Sequence, residues 1–111
     1  MKYVIVDVET TGATNGTKGN PFSASNNLVL SGIRYKSICK TVSGNPRVEF
    51  SMLDKGLRWV GTNIKFDLHW LRRHGISLPA IIWDCQYAQY CIERQKQSYI
   101  SLDHCLEFYG Y

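Results

Sequence analysis

Two carboxylates stand two positions apart near the start of the chain. Asp7 and Glu9 interrupt a run of Val and Ile over residues 4–8 that is typical of a buried strand. Because strand side chains alternate between faces, both carboxylates share one face at the strand end. A divalent cation with a preference for oxygen ligands, such as Mg²⁺ or Mn²⁺, is their simplest partner. The alternative is that both acids emerge into water.

A third acid lies in the first turn of a predicted helix. Thr62 or Asn63 can begin this helix as an N-cap, and Gly75 can end it. Asp67 follows Asn63 by four positions, so it can look toward a strand end beside the helix N-terminus, where the helix dipole favours a carboxylate. The alternatives are a surface aspartate and a plain Asn63 cap. Apolar residues four and seven positions after the first define the buried stripe, namely Ile64, Leu68 and Leu71.

A small, polar, glycine-rich segment over residues 10–21 follows the acidic strand end and predicts a loop. The backbone amides of residues 10–12 would lie next to any ligand held by the acids, whereas residues 15–21 are interpreted as an ordinary connection. Another face of the predicted helix is basic, and it can contact phosphates or simply be solvated. Its members are Lys65, His69 and Arg72.

The other predicted elements are strands and short helices. Strands are expected over residues 28–35, 37–42, 57–61 and 81–84, and a turn over residues 43–46 should lead into a further strand over residues 47–50. Asp84 is expected to be the N-cap of a helix that follows it, and Ser101 the N-cap of a final helix.

Composition limits the classes of function. A chain of 111 residues with 44% hydrophobic content predicts one domain, and its net charge of +4 favours an anionic partner only weakly. The four cysteines form no CxxC pair, and no signal peptide or membrane-spanning stretch is seen, which predicts a cytoplasmic or nucleoid-associated protein that is not secreted. A zinc site can be imagined, but its spacing matches no compact finger, and buried cysteine is the commoner fate. It would use Cys85, Cys91, His104 and Cys105.

Four segments resemble, in the same order, segments of DEDD-superfamily 3′–5′ exonucleases. The resemblance is closest to the proofreading exonuclease domain of family A DNA polymerases and covers nearly the whole chain. Its specificity comes from the combination of DxE with GxNxKFD, since either half alone would be weak. The segments are DVETTG at 7–12, GTNIKFD at 61–67, WDCQYAQY at 83–90 and SLD at 101–103.

This resemblance implies an α/β fold of the ribonuclease H-like type, with a mixed sheet and flanking helices. It also implies removal of nucleotides from the 3′ end of a nucleic acid, DNA in the first place with RNA as the alternative, with the help of two Mg²⁺ or Mn²⁺ ions roughly 4 Å apart. Asp7 would bridge the two metals, Glu9 would support one of them, and Asp67 would bind the other. A single-stranded or frayed 3′ end would be held by Thr10, Thr11, Gly12, Asn63, Lys65 and Phe66, although Phe66 suits the core equally well.

The chain also departs from the family pattern. Members carry a fourth acid on a later helix, preceded by a Tyr or His, and this chain ends before that motif. Asp103 is interpreted as a first-turn helix acid and not as its replacement. We therefore expect residues 1–111 to form a partial, C-terminally incomplete exonuclease-like domain with one weak metal site and little activity alone. A polymerase, a second chain or a homodimer would complete it; the alternative is a non-catalytic nucleic-acid-binding or structural module.

Overall fold

The computed structural model of the chain describes residues 2–12, 19–97 and 99–111. Part of the predicted loop after Gly12, residues 13–18, lies outside this range. The strands are β1 (Tyr3–Thr10), β2 (Leu28–Tyr35), β3 (Ile38–Ser43), β4 (Arg58–Gly61) and β5 (Ile82–Asp84). The helices are α1 (Arg47–Ser51), α2 (Ile64–Arg73), α3 (Cys85–Ile92) and α4 (Leu102–Phe108).

The five strands form one mixed sheet in the order β3-β2-β1-β4-β5. β1 pairs antiparallel with β2, and β2 antiparallel with β3. On its other side β1 pairs parallel with β4, which pairs parallel with β5. The predicted α/β fold with a mixed sheet and flanking helices is therefore confirmed. No helix in the described part of the chain is long and apolar enough to cross a membrane.

One face of the sheet forms the core. Along β1 the side chains alternate between buried and exposed, and the buried set is Val4, Val6 and Val8. α2 contributes Trp70 and Leu71, both completely buried, to the same cluster. Each large apolar side chain removed from water contributes about 1.5–3 kcal/mol, so this layer fixes the position of α2 against β1.

The opposite face keeps apolar side chains in contact with solvent. Strand pairing brings together on this face Tyr3, Ile5, Arg34, Arg58, Val60 and Trp83, which we call the open face. Tyr3 is 56% exposed and Trp83 48% exposed within the described structure. Asp7 and Glu9 point to this same side of β1.

The strand expected over residues 47–50 is wrong, because these residues form the short helix α1. The side-chain oxygen of Asn45 accepts the N–H of Arg47 at 3.0 Å, and Phe50 N–H donates to the carbonyl of Pro46 at 3.1 Å. This local turn starts a helix immediately after Pro46. The alternation of Val48 and Phe50 imitated a strand, but Val48 is 67% exposed and Phe50 is buried on a single helical turn.

Candidate active site

The predicted site residues meet in a cleft at the C-terminal end of β1. The cleft has a volume of about 320 Å³ and lies between the end of β1 and the start of α2. It is lined by Asp7, Val8, Glu9, Thr10, Gly12, Gly19, Thr62, Asn63, Phe66 and Asp67. The structure thus brings Asp67 into the same cleft as Asp7 and Glu9, which precede it by 60 and 58 positions along the chain.

Asp7 and Glu9 lie on the exposed side of the strand end. Burial, and next the negative charge of Glu9, raise the pKa of Asp7, while a hydrogen bond from the backbone N–H of Val8 acts in the opposite direction. Two like charges on adjacent same-face positions repel each other and attract cations. The strand end is therefore a place where a bound cation would relieve electrostatic strain.

Asp67 differs from the other two acids because it is only 3% exposed. One of its oxygens, Oδ1, accepts the backbone N–H of Val8 at 2.9 Å. The third carboxylate is therefore attached to the backbone position between the first two, which rules out the alternative of a surface aspartate. Sequence spacing placed Asp67 on the correct side of α2 but did not reveal this bond, because its partner is 59 positions away.

The carboxylates share the cleft without converging on one point. Across the described residues, no group of three or more His, Cys, Asp or Glu side chains is arranged to hold a metal ion, and this includes the imagined zinc set. The donor set itself fits Mg²⁺ or Mn²⁺, because all three acids offer carboxylate oxygens to the same cleft.

Asn63 precedes α2 but does not cap it with its side chain. Its backbone is left-handed, with φ of 54° and ψ of 46°, and in the described structure its side chain accepts no hydrogen bond from the first turn. Asn63 thus occupies the N-cap position, which was one of the two predicted, but the alternative that its side chain is a plain cap is wrong. Asn tolerates the left-handed region better than most residues, but such conformations still cost on the order of 1 kcal/mol and are often found at functional sites.

Asp84 supplies the missing cap from the neighbouring strand. Its Oδ1 accepts the N–H of Asn63 and its Oδ2 that of Ile64, both at 3.0 Å. The same carboxylate caps its own helix α3, accepting the N–H of Gln86 at 2.9 Å and of Tyr87 at 3.4 Å. The predicted cap of α3 is confirmed, and the capping of α2 was missed. Asp84 reaches the start of α2 because the parallel pairing of β4 and β5 places it beside Gly61, immediately before α2.

Only some of the residues that the resemblance assigns to DNA binding line the cleft. Thr10, Gly12, Asn63 and Phe66 line the cleft. Phe66 also packs edge-on against Trp70, with ring centroids 6.3 Å apart, so its ring contributes to both core and cleft. Thr11 and Lys65 are not among the described residues that line the cleft. Thr11 instead connects the end of β1 to the residue before β2, because its hydroxyl accepts the N–H of Asn27 at 2.8 Å.

Gly19 is a cleft residue that the sequence interpretation treated as part of an ordinary connection. A Cβ atom at this position would collide with the carbonyl oxygen of Thr11 and press against Thr10 and Trp70. Glycine is therefore needed so that the chain can return to the end of β1 and form one wall of the cleft. A single glycine in a glycine-rich segment carries no sequence signal that separates this one from its neighbours.

Comparison with known sequences yields one family match. A sequence-family model described as 3′–5′ exonuclease matches residues 1–109. The matched range includes β1–β5, α1–α4 and all the residues that line the cleft. No curated protein matches the chain.

Proposed function

Because the chain belongs to the 3′–5′ exonuclease family, we propose that it is a metal-dependent nuclease module that removes nucleotides from the 3′ end of DNA. The cleft at the end of β1 is the proposed site. The observation that carries the proposal is the bond between Asp67 Oδ1 and Val8 N–H, at 2.9 Å. This bond holds a third carboxylate beside Asp7 and Glu9 in a cleft that also contains Asn63.

Asp7, Glu9 and Asp67 are the residues that would hold Mg²⁺ or Mn²⁺. When bound, such ions activate a water molecule and stabilise the leaving oxygen of a phosphodiester. The raised pKa of Asp7, caused by burial and by Glu9, supports a cation-seeking role, because a cation offsets both effects. Each additional carboxylate makes an Mg²⁺ ion easier to retain against water.

The wall of the cleft suits the end of a DNA strand. The ring of Phe66 offers a flat apolar surface for a base or sugar, and the Asn63 carboxamide offers both a donor and an acceptor. Thr10 and Gly12 also line the cleft. The cleft is open to solvent through Asp7 and Glu9, so a flexible or frayed 3′ end can approach the acids.

The chain is proposed to work poorly alone. Among the described residues, three carboxylates line the cleft, and Asp103 lies in the first turn of α4 outside it. With three acids, one of the two cations of the proposed mechanism is held weakly. A polymerase or a second chain would then complete the site. A non-catalytic nucleic-acid-binding module is the second candidate, favoured by the absence of a converged metal-binding geometry in the described residues.

The deciding assay uses single-stranded DNA labelled at its 5′ end, with Mg²⁺ or Mn²⁺, and compares the native chain with Asp7→Ala. We expect products shortened from the 3′ end, and a rate at least about 100-fold lower in the variant, since even groups that only support a metal ligand contribute 10–100-fold. Asp54→Ala is a suitable control because Asp54 is exposed and bonds only within its own turn, to the N–H of Gly56.

Three outcomes of this assay are distinguishable. Loss of activity in Asp7→Ala alone supports the proposed mechanism. Activity that survives in Asp7→Ala contradicts it. A native chain that does not cleave DNA but binds it with an affinity that falls steeply with salt is the binding module of the second candidate.

A further inference from the structure

We propose that Asp84 is a positioning residue of the cleft, because it caps α2 from the adjacent strand and so presents the Asn63 side chain to DNA. This inference rests on the proposed function of the cleft. Asp84 itself is not among the residues that line the cleft. It acts through Asn63 and through the start of α2.

The contacts of Asp84 are all with backbone donors at the beginnings of two helices. Three of the four N···O distances are between 2.9 and 3.0 Å, and the fourth, to Tyr87, is 3.4 Å. A carboxylate has acceptor capacity for about four such donors. Bonds to an ionised acceptor are stronger than neutral ones, and both helix dipoles favour a negative charge here. Asp84 therefore joins α2 and α3 rigidly at the β5 edge.

The start of α2 is consequently held from two sides. Asp84 fixes Asn63 and Ile64 from β5, and Asp67, one turn further on, bonds to Val8 on β1. Gly61 allows the start of α2 to pack closely against β1, because a Cβ at this position would lie 3.1–3.3 Å from atoms of Val6 and Ile64. Loss of the Asp84 contacts would release one of these two attachments and move Asp67 relative to Asp7.

The contacts also explain why Asn63 can serve the cleft. In most helices the N-cap side chain turns back to accept an N–H of the first turn. Here the Asp84 carboxylate accepts the N–H of Ile64 and of Asn63 itself, with Asn63 in a left-handed conformation. The helix therefore makes no use of the Asn63 carboxamide, which lines the cleft instead.

The test compares Asp84→Ala and Asp84→Asn with the native chain, and uses Asp54→Ala as the matched control. Asp54 also accepts a backbone N–H, from Gly56 at 2.8 Å, but in a turn outside the cleft. Two quantities are measured well below each melting temperature. The first is the hydrogen-exchange rate of the Asn63, Ile64 and Val8 amides, by NMR. The second is the affinity for a fluorescein-labelled oligo(dT) in Mg²⁺, by anisotropy.

We expect Asp84→Ala to accelerate exchange at Asn63 and Ile64 and to weaken oligo(dT) binding about tenfold, as loss of a supporting partner typically does. Asp84→Asn keeps one acceptor oxygen, so it should recover part of both quantities. Asp54→Ala should change neither. This graded recovery separates positioning from a general loss of stability, which would lower the folded fraction but leave the affinity of the folded chain unchanged.

Native affinity in the folded fraction of Asp84→Ala would overturn the proposal and leave Asp84 as a helix cap alone. If Asp84→Ala does not fold, Asp84→Asn decides by the same comparison. If the native chain binds no oligo(dT), the proposed function fails separately. In that case the exchange rate of the Val8 amide decides the positioning, because this amide donates to Asp67 and not to Asp84: an unchanged Val8 rate in the variants refutes it, and a faster one supports it.

Discussion

Asp7 and Asp67 are carboxylates of the same cleft, yet their surroundings give them different tasks. Asp7 stands on the solvent-facing side of β1, where partial burial and the charge of Glu9 raise the pKa of its carboxyl group. Asp67 is buried, and its Oδ1 accepts the backbone N–H of Val8. At this site one acid is held in place by the fold, and the other two remain open to a cation.

This difference predicts that substitution of Asp67 lowers the free energy of unfolding, whereas substitution of Asp7 does not. Asp67→Ala should lower the free energy of unfolding by about 1–3 kcal/mol, because it leaves the buried Val8 N–H without this partner. Asp7→Asn should not destabilise the chain in a chelating buffer at pH 8. A raised carboxyl pKa means that ionisation opposes folding as pH rises through that pKa, and Asn removes this cost.

Urea titrations of both variants measure these free energies, and the DNA assay should find both inactive. Mg²⁺ should raise the melting temperature of the native chain but not of Asp7→Asn. The assignment of roles would be wrong if Asp7→Asn were the less stable of the two variants in chelator.

Asn63 allows stability to be separated from binding. Asn63→Gly should leave the chain equally stable or more stable by up to about 1 kcal/mol, because glycine adopts the left-handed conformation without a steric cost. Asn63→Ala should be less stable by about 1–2 kcal/mol. Both variants lack the carboxamide, so both should bind oligo(dT) more weakly. Weak binding only in the destabilised Ala variant would remove the Asn63 side chain from the site.

At the scale of elements, a polar cluster of Gln89, Glu93 and His104 joins α3 to α4. Glu93 accepts the Gln89 side-chain N–H at 3.0 Å and lies 2.7 Å from Nε2 of His104 on α4. The hydrogen bond from Gln89, and next the contact with His104, lower the pKa of Glu93. The cluster thus ties the C-terminal helix to the helix that Asp84 caps.

This cluster predicts a pH-dependent stability. A lowered carboxyl pKa contributes stability above the ordinary value near 4.3, and this contribution is lost as pH falls through the lowered pKa. Glu93→Gln should therefore lower the melting temperature at pH 7, and the difference from the native chain should vanish at the acid end of a titration from pH 7 to pH 3. Glu107→Gln, at an exposed position of α4, is the control. A difference that is the same at all pH values would contradict the charged interaction.

At the scale of the whole molecule, the two faces of the sheet are unequal. One face is covered by α2, whereas the open face combines exposed Tyr3, Ile5 and Trp83 with Arg34 and Arg58. Its basic end lies near the start of β1, and its acidic end contains Asp7 and Glu9. Such a patch is complementary in charge to a second copy of itself turned by 180°.

We expect self-association through this face, and we expect it to be weak. The five strands contain 8, 8, 6, 4 and 3 residues, so at about 3.3 Å per residue and about 4.8 Å between strands the sheet has a face of roughly 460 Å². This is below the ~800 Å² per partner of stable complexes. Analytical ultracentrifugation should detect a dimer only at high concentration, and Tyr3→Ser with Trp83→Ser should abolish it. Val48→Ser with Met52→Ser removes exposed apolar groups elsewhere and should not. Equal loss in both double variants would exclude the open face as the interface.

Local patterns in the sequence were sufficient for several features of the site. The Val and Ile run around Asp7 predicted β1, and the spacing of Ile64, Leu68 and Leu71 predicted α2. Alternation along β1 also put Asp7 and Glu9 on one face. These features depend on residues that are close in the sequence, so the sequence alone determines them.

Only the tertiary structure decided what these elements do to each other. The bond from Val8 to Asp67 and the two contacts of Asp84 with the start of α2 link positions separated by 20 to 59 residues, and they depend on the order and register of the strands. The wrong strand at residues 47–50 has a local cause, because the turn at Asn45 and Pro46 starts a helix where the alternation of Val48 and Phe50 imitates a strand. Hydrogen-bond partners across a sheet are chosen by packing, and packing is not encoded in any short segment.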